Sequence, residues 1–342
     1  MDTGKVTELT RQCFRERLQQ SCDAYLGQSP NHRLAIGIVK NDRFFVFGNG
    51  IGVNDQYDIG SISKTFTAHL VLHLAQKGVL DLSKCVDRYL PLKPGRYPTI
   101  TELLTHTAGY SHITPWEVTV PSLLTKPYLR KNIYEQCKKE DILRHLQRRN
   151  RHRKTDTYSY SDFSYGVLAV VCEAATGTPF KALLEDFIKN TLQMGHTEVT
   201  LKPENRSVLP AHKGKLLPYW VWQNDNPYLA SGGMASSIYD MLQYVALQLH
   251  AKESFITEAH ALQAQISKSN ILACKGWHTY KKSNQLWHVG GVGTFRSSIV
   301  FNRKRGLGVV VLGNGKGIRS ANVHYLAKVI YGELKSKKIL LP

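Results

Sequence analysis

The 342-residue sequence predicts an α/β fold in the α+β sense. One antiparallel sheet is built from both ends of the chain and flanked by helices, with a mainly helical region inserted between. Two observations carry this. Runs of strand composition bounded by turn residues lie near both ends, at 34–50 and 287–314, and the stretches between them place apolar residues at helical spacing. A third supports it: 42% hydrophobic and 21% charged residues is a globular composition, long enough for a sizeable core. That excludes a mainly disordered or collagen-like chain. With no internal repeat or low-complexity linker, a single domain over 1–342 is expected. Its α/β part takes about 1–80 and 230–342, and the helical insertion about 81–229.

In chain order, residues 5–26 read as an amphipathic helix, with Val6, Leu9, Phe14, Leu18 and Tyr25 at roughly helical spacing. Residues 34–50 read as two strands around Lys40–Arg43. Residues 61–77 form a helix with Ile62, Phe66, Leu70 and Leu74 on one stripe, stopped by Gly78. Short helices follow at 99–105 and 140–149. The stretch 164–190 is two helices parted by Thr176-Gly177-Thr178-Pro179. A Ser-capped helix spans 236–250. Three strands at 287–291, 294–302 and 307–314 and a closing helix at about 318–334 complete the chain.

Six scattered cysteines without a CxxC pair, and no HExxH, give no disulfide framework or zinc site. No run approaches the ~18 apolar residues of a membrane span. The polar start MDTGKVTELTRQ has no apolar signal region. A cytoplasmic location is expected if Met1 is the natural start, and a periplasmic or extracellular one if a signal peptide was trimmed. Forty-five basic against 26 acidic residues, a net +19, favours polyanions.

Three short motifs carry chemistry. Ser61-Ile62-Ser63-Lys64 opens a helix, where positions i and i+3 share a face. The electropositive helix start and desolvation can make Lys64 the base for a Ser61 nucleophile. Alone, the motif is as well read as a Ser cap and a surface lysine. Tyr160-Ser161-Asp162 precedes another helix, and a phenol beside a lysine can shuttle protons. Alone, it reads more simply as a turn with a capping Asp or Ser and a packed tyrosine. His288-Val289-Gly290-Gly291 is a strand without side chains at its end, where a ligand backbone can lie.

In this order, SxxK, Tyr-x-Asn/Asp and Lys/His-x-Gly resemble the signature of the penicillin-recognising serine hydrolases. The branch resembled holds class C β-lactamases, DD-carboxypeptidases, D-aminopeptidases and β-lactamase-like esterases. DIGSISKTFTA (58–68), KGVLDLSKCVDRYLP (77–91), TITELLTHTAGY (99–110), YSYSDFSYGVLA (158–169), ATGTPF (175–180), ASGGMASSIYDM (230–241) and HVGGVGTFRSS (288–298) all resemble family blocks. The resemblance covers about 34 to 315 and implies a β-lactamase/transpeptidase-like fold. It implies Ser61 as the acylated nucleophile, Lys64 as its base partner and Tyr160 as second proton carrier. Asp162 and His288 are expected to line the pocket, and the N–H groups of Ser61 and Gly291 to form the oxyanion hole beside Gly290. No metal or organic cofactor is implied.

Three departures bear on substrate. Val289 stands where carboxylate-binding relatives carry a hydroxyl, and it cannot donate. His288 replaces a lysine, supplying charge only below about pH 6.5. Asp162 replaces an Asn and only accepts, which suits a substrate amine or Lys64 itself. Expected substrates are esters or amides through an acyl-enzyme, with D-aminoacyl compounds as one form. The alternatives are a DD-carboxypeptidase or weak β-lactamase and, in another class, a non-catalytic polyanion-binding or self-assembling scaffold. From Lys126 to Lys154 there are eleven basic and three acidic residues. An anionic polymer or membrane surface could dock there, although a solvated helix and loop is the plainer reading. No nucleic-acid reading motif is present.

Overall fold

The computed structural model describes residues 6–112, 131–151, 157–200, 207–266, 270–281, 283–318, 321–336, 339 and 341–342. Its strands are β1 Thr7–Glu8, β2 Leu34–Lys40, β3 Arg43–Gly48, β4 Gln56–Asp58, β5 Thr197–Val199, β6 Ala211–His212, β7 Lys215–Leu216, β8 Met234–Ser237, β9 Leu262–Gln265, β10 Ile271–Cys274, β11 His278–Tyr280, β12 Leu286–Val292, β13 Phe295–Asn302 and β14 Leu307–Gly313. Its helices are α1 Glu16–Leu26, α2 Ser63–Gln76, α3 Ile100–Leu104, α4 Lys139–Arg148, α5 Asp162–Thr176, α6 Phe180–Asp186, α7 Leu229–Gly232, α8 Ile238–His250, α9 Ser254–His260 and α10 Val323–Lys335.

Among the described residues the main sheet has nine strands in the order β1-β3-β2-β14-β13-β12-β11-β10-β9. The pairing of β14 with β2, Val309 opposite Ile38, joins the two chain ends in one antiparallel sheet. Side chains alternate across a strand, so each strand feeds two cores. Ile36, Ile38, Val300, Val309 and Val311 pack under α1 and α10 with Leu18, Tyr25, Leu326 and Ile330. Val39, Ile299, Phe301, Val310 and Leu312 face the other way, toward α2, α5 and α8. A small sheet β4-β8-β5 leads into α2.

Several boundaries differ from the sequence expectation. The first helix starts at Glu16, not near residue 5. Thr7–Glu8 pairs parallel with β3, and the Leu9 N–H donates to the Val46 carbonyl. Val6 and Leu9 have helical spacing but cover a sheet edge, while Leu18, Cys22 and Tyr25 are the buried helical stripe. α5 starts at Asp162 because Ser161 caps it, accepting from the Ser164 N–H at 3.1 Å. It ends at Gly177 with φ 70°. The closing helix starts at Val323, capped by Asn322, which accepts from the Tyr325 N–H at 2.9 Å. Strands β9 to β11 extend the sheet beyond the foreseen set. Among the described residues no single helix is long and apolar enough to cross a membrane. Of the basic segment, 126–130 and 152–154 contain residues outside the described set. Within it, Lys139 pairs with Glu173 at 3.0 Å and Arg144 with Asp141 at 2.9 Å.

Candidate active site

The site forms where the start of α2, the start of α5 and strand β12 meet. Ser61 lies in the single 3-10 turn Gly60–Ile62 before α2. Gly60 takes φ +52°, and a Cβ there would stand 2.5 Å from the Gly291 nitrogen. A side chain is therefore excluded by both conformation and contact. This approach sets the backbone of Ser61 beside that of Gly291, the two residues expected to form the oxyanion hole. Gly290 is equally constrained. A Cβ there would meet the Ile59 carbonyl at 2.0 Å, and Ser297 Oγ donates to that same carbonyl at 2.6 Å.

One helical turn after Ser61, Lys64 is fully enclosed. Its Nζ lies 3.3 Å from Ser61 Oγ, donates to the Ser231 carbonyl at 2.8 Å and stands 2.6 Å from Asp162 Oδ1. It also lies 4.9 Å from the centre of the Tyr160 ring. Tyr160 lines the same cavity as Ser61, near enough for that hydroxyl to act on its phenol. Its ring packs at 4.6 Å on His106, whose Nδ1 accepts from the Ser161 N–H at 3.1 Å. The other carboxylate oxygen, Asp162 Oδ2, accepts from the Tyr134 hydroxyl at 2.6 Å and lies 3.3 Å from His112 Nε2. Of the two roles weighed for Asp162, pairing with Lys64 is the one the geometry displays.

Burial pushes the Lys64 amine down, and Asp162 works against that shift. Burial would raise Asp162, but the Lys64 charge and His112 outweigh it and hold the carboxyl well below its usual range. Burial and then Asp162 push the Tyr160 phenol well above its ordinary value. Tyr160 is therefore a neutral phenol at neutral pH, able to relay a proton but not to start as a base.

Ser61, Tyr160 and Asp162 line a cavity of about 890 Å³, as do Val289, Gly290 and Gly291. His288 is the exception. It is buried on the strand face opposite Val289, with Nδ1 2.9 Å from the Val289 carbonyl, and is absent from the cavity lining. Burial, then His278 and Lys64, push it well below its usual value. It is thus a neutral support behind Tyr160, 6.4 Å between ring centres, rather than a pocket cation.

Sequence reasoning did not single out His106, His112, Tyr134, Trp220, Trp222, Arg296 or Lys316. Tyr134, Trp220 and Trp222 make an aromatic cavity wall, while Arg296 on β13, Lys316, and His324 at the start of α10 add basic side chains to the lining. His106 and Arg296 sit inside the quoted blocks THTAGY and TFRSS, where position beside a motif was the available signal. The others carry no local signature.

A sheet made from both chain ends, with a buried SxxK lysine touching Ser61 and facing a phenol, defines the class of the penicillin-recognising serine hydrolases. The chain belongs to the β-lactamase family, whose profile matches residues 23–331. Among curated relatives, Protein flp of Staphylococcus aureus (strain MW2) is 25% identical over 327 residues, 86% of this chain and 61% of that protein. The chain therefore spans about three-fifths of the length of that relative. A β-lactamase of Providencia stuartii is 27% identical over 183 residues, 50% of this chain and 43% of that protein. Among solved structures, the octameric penicillin-binding protein homologue from Pyrococcus abyssi shares the fold. Its TM-score is 0.75 at 20% identity, covering 95% of this chain and 78% of that one.

Proposed function

We propose that the protein hydrolyses esters or amides through an acyl-enzyme on Ser61. The observation that carries this is the contact of Ser61 Oγ with Lys64 Nζ, itself against the Tyr160 ring, at the floor of a large cavity. Ser61 attacks the acyl carbon, and the oxyanion forms between the Ser61 and Gly291 N–H groups. Tyr160 passes a proton to the leaving group, and water then releases the acyl chain.

The cavity supports an aromatic or apolar group against Tyr134, Trp220 and Trp222. It also supports an anionic group at Arg296 and Lys316. Those cations offset the missing hydroxyl at Val289 and favour the second reading, a carboxypeptidase or weak β-lactamase. The D-aminoacyl form requires a substrate ammonium to displace His112 from Asp162 Oδ2.

Intact-protein mass after a fluorophosphonate and, separately, a penicillin tests the proposal, with Ser61→Ala as control. Labelling by fluorophosphonate alone supports an esterase or amidase. A stable penicillin adduct supports the second reading, and nitrocefin turnover reveals an adduct too short-lived to weigh. Absence of any label or turnover overturns the hydrolase reading and favours the scaffold.

A further inference from the structure

We propose that Asp162, acting through Lys64, is the terminal acceptor of the Ser61 proton during acylation; this rests on the hydrolase reading. Lys64 Nζ faces three oxygens: Ser231 O at 2.8 Å, Asp162 Oδ1 at 2.6 Å and Ser61 Oγ at 3.3 Å. Nζ donates to the Ser231 carbonyl and to Ser61 Oγ, and it lies in direct charge contact with the Asp162 carboxylate. An N–H therefore already faces Ser61. With a carboxylate against it in an enclosed site, the amine keeps its third proton there, and no lone pair faces Ser61. Tyr160 is a neutral phenol and cannot take the proton either. The carboxylate is the one group in this contact chain that carries a base's charge, and the Lys64 charge that holds its carboxyl low is discharged as Lys64 gives up its proton.

The other groups around the pair agree. From the turn before its own helix Lys64 meets Ser61, from α5 Asp162 and Tyr165, from the loop before α5 Tyr160 and from α7 the Ser231 carbonyl. His106, His278 and His288 feel the Lys64 charge, and burial with that charge keeps all three well below their usual values. None of them competes as the base. Asp162 additionally meets Tyr134, whose hydroxyl donates to Oδ2, and His112, whose Nε2 lies 3.3 Å from the same oxygen.

The step balances as follows. Lys64 gives one proton to Asp162 Oδ1, and rotation about Cε–Nζ turns the freed lone pair to Ser61. The Ser61 O–H bond breaks toward Nζ as Oγ bonds the acyl carbon and the carbonyl pair moves onto oxygen. Lys64 begins and ends as an ammonium, Asp162 becomes a carboxylic acid, and the negative charge has moved to the oxyanion. When the bond to the leaving group breaks, the proton returns through Lys64 and Tyr160 to the leaving atom, and the Asp162 carboxylate is restored. Desolvation narrows the gap between an ion pair and its neutral form, which makes the first transfer accessible in this enclosed site.

The test is the rate of Ser61 acylation by a p-nitrophenyl ester between pH 6 and 9, in the wild type and in Asp162→Asn. The expected result is a nearly pH-independent wild-type rate. Asp162→Asn should be slower by about 100-fold or more at pH 7, the range of a lost general base, and should recover as pH rises and Lys64 frees its lone pair. A wild-type rate that climbs about tenfold per pH unit would overturn the proposal, as would an Asp162→Asn variant as fast as wild type at pH 7. Either means that Lys64 itself is the base and Asp162 only restrains it. The wild-type profile decides even if the variant folds poorly. A wild type that never acylates defeats the hydrolase reading instead, a separate failure.

Discussion

Asp162 Oδ1 and Lys64 Nζ stand 2.6 Å apart, joining the starts of two helices across the floor of the cavity. The Lys64 side chain is 0% exposed and that of Asp162 10%. Removing one member of a buried pair strands the other charge, which costs about 3–5 kcal/mol. Lys64→Met should therefore lower unfolding free energy by about that amount, measured by urea titration at pH 7. Adding Asp162→Asn removes the stranded charge and should restore part of the loss. A double variant as unstable as the sum of the two singles would show that the pair is not coupled.

Stability should also fall on mild acidification, because buried neutral histidines resist protonation. Burial and then Lys64 lower His278 to about 4. An unfolded histidine takes a proton near pH 6.5. Between those values the unfolded chain binds more protons, so stability drops as pH falls. Asp162 acts in the same direction only below about pH 4, where its depressed pKa lets the unfolded carboxylate protonate first. From pH 7 to 5 the His278 contribution is about 2 kcal/mol. His278→Gln should remove that share of the acid loss in urea midpoints taken at both pH values. Parallel losses in variant and wild type would contradict the assignment.

What could be read in the sequence follows from how local each signal is. Strands β13 and β14 are runs of eight and seven residues on either side of the turn at Arg303–Arg305, and the caps Ser161 and Ser237 mark their helices directly. Strands β9 to β11 are three or four residues each, with Gly276 at φ +82° between the last two. Such short runs have too few alternations to register. The motif residues Ser61, Lys64, Tyr160 and Asp162 meet because their spacing within blocks survives folding. Their neighbours meet only through tertiary packing: Tyr134 reaches Asp162 across 28 positions, and Arg296 faces Gly291 by strand register. The burial of His288 is likewise a matter of which strand face the pleat gives it, one residue from the half-buried Val289.

The glycines at the site should separate fold from function. Gly290→Ala would drive a Cβ to 2.0 Å from the Ile59 carbonyl, and that backbone has no free direction to retreat. The variant should lose several kcal/mol or fail to fold, at the upper end of single-residue effects. Gly291→Ala meets only the Arg296 side chain, nearest at Nη1 at 3.1 Å, and a shift of that side chain at the expense of its bonds to the Gly293 and Phe295 carbonyls relieves the contact. It should keep its melting temperature within a few degrees. Equal melting losses for the two would contradict the close approach of β12 to residues 59 and 60.

Arg296 gives the sharpest statement about substrate. It stands opposite Gly291 in the β12–β13 pairing, so both project from the same face of the sheet. Its guanidinium is anchored by the Gly293 carbonyl at 3.0 Å and the Phe295 carbonyl at 2.6 Å. Lys316 shares the cavity, and the acid in its lining, Asp162, is engaged by Lys64. A hydrogen bond to a charged group is worth about 1.5–3 kcal/mol, or about 10- to 100-fold in kcat/KM. Two esters with one acyl group and leaving groups 3-hydroxybenzoate or 3-hydroxybenzamide isolate that term. The wild type should prefer the benzoate. Arg296→Gln should lose about 10-fold or more on the benzoate and less than about twofold on the benzamide. If both esters lose equally, Arg296 serves the Gly293 turn and not the substrate. If the wild type shows no preference, the cationic end of the cavity binds no part of the leaving group.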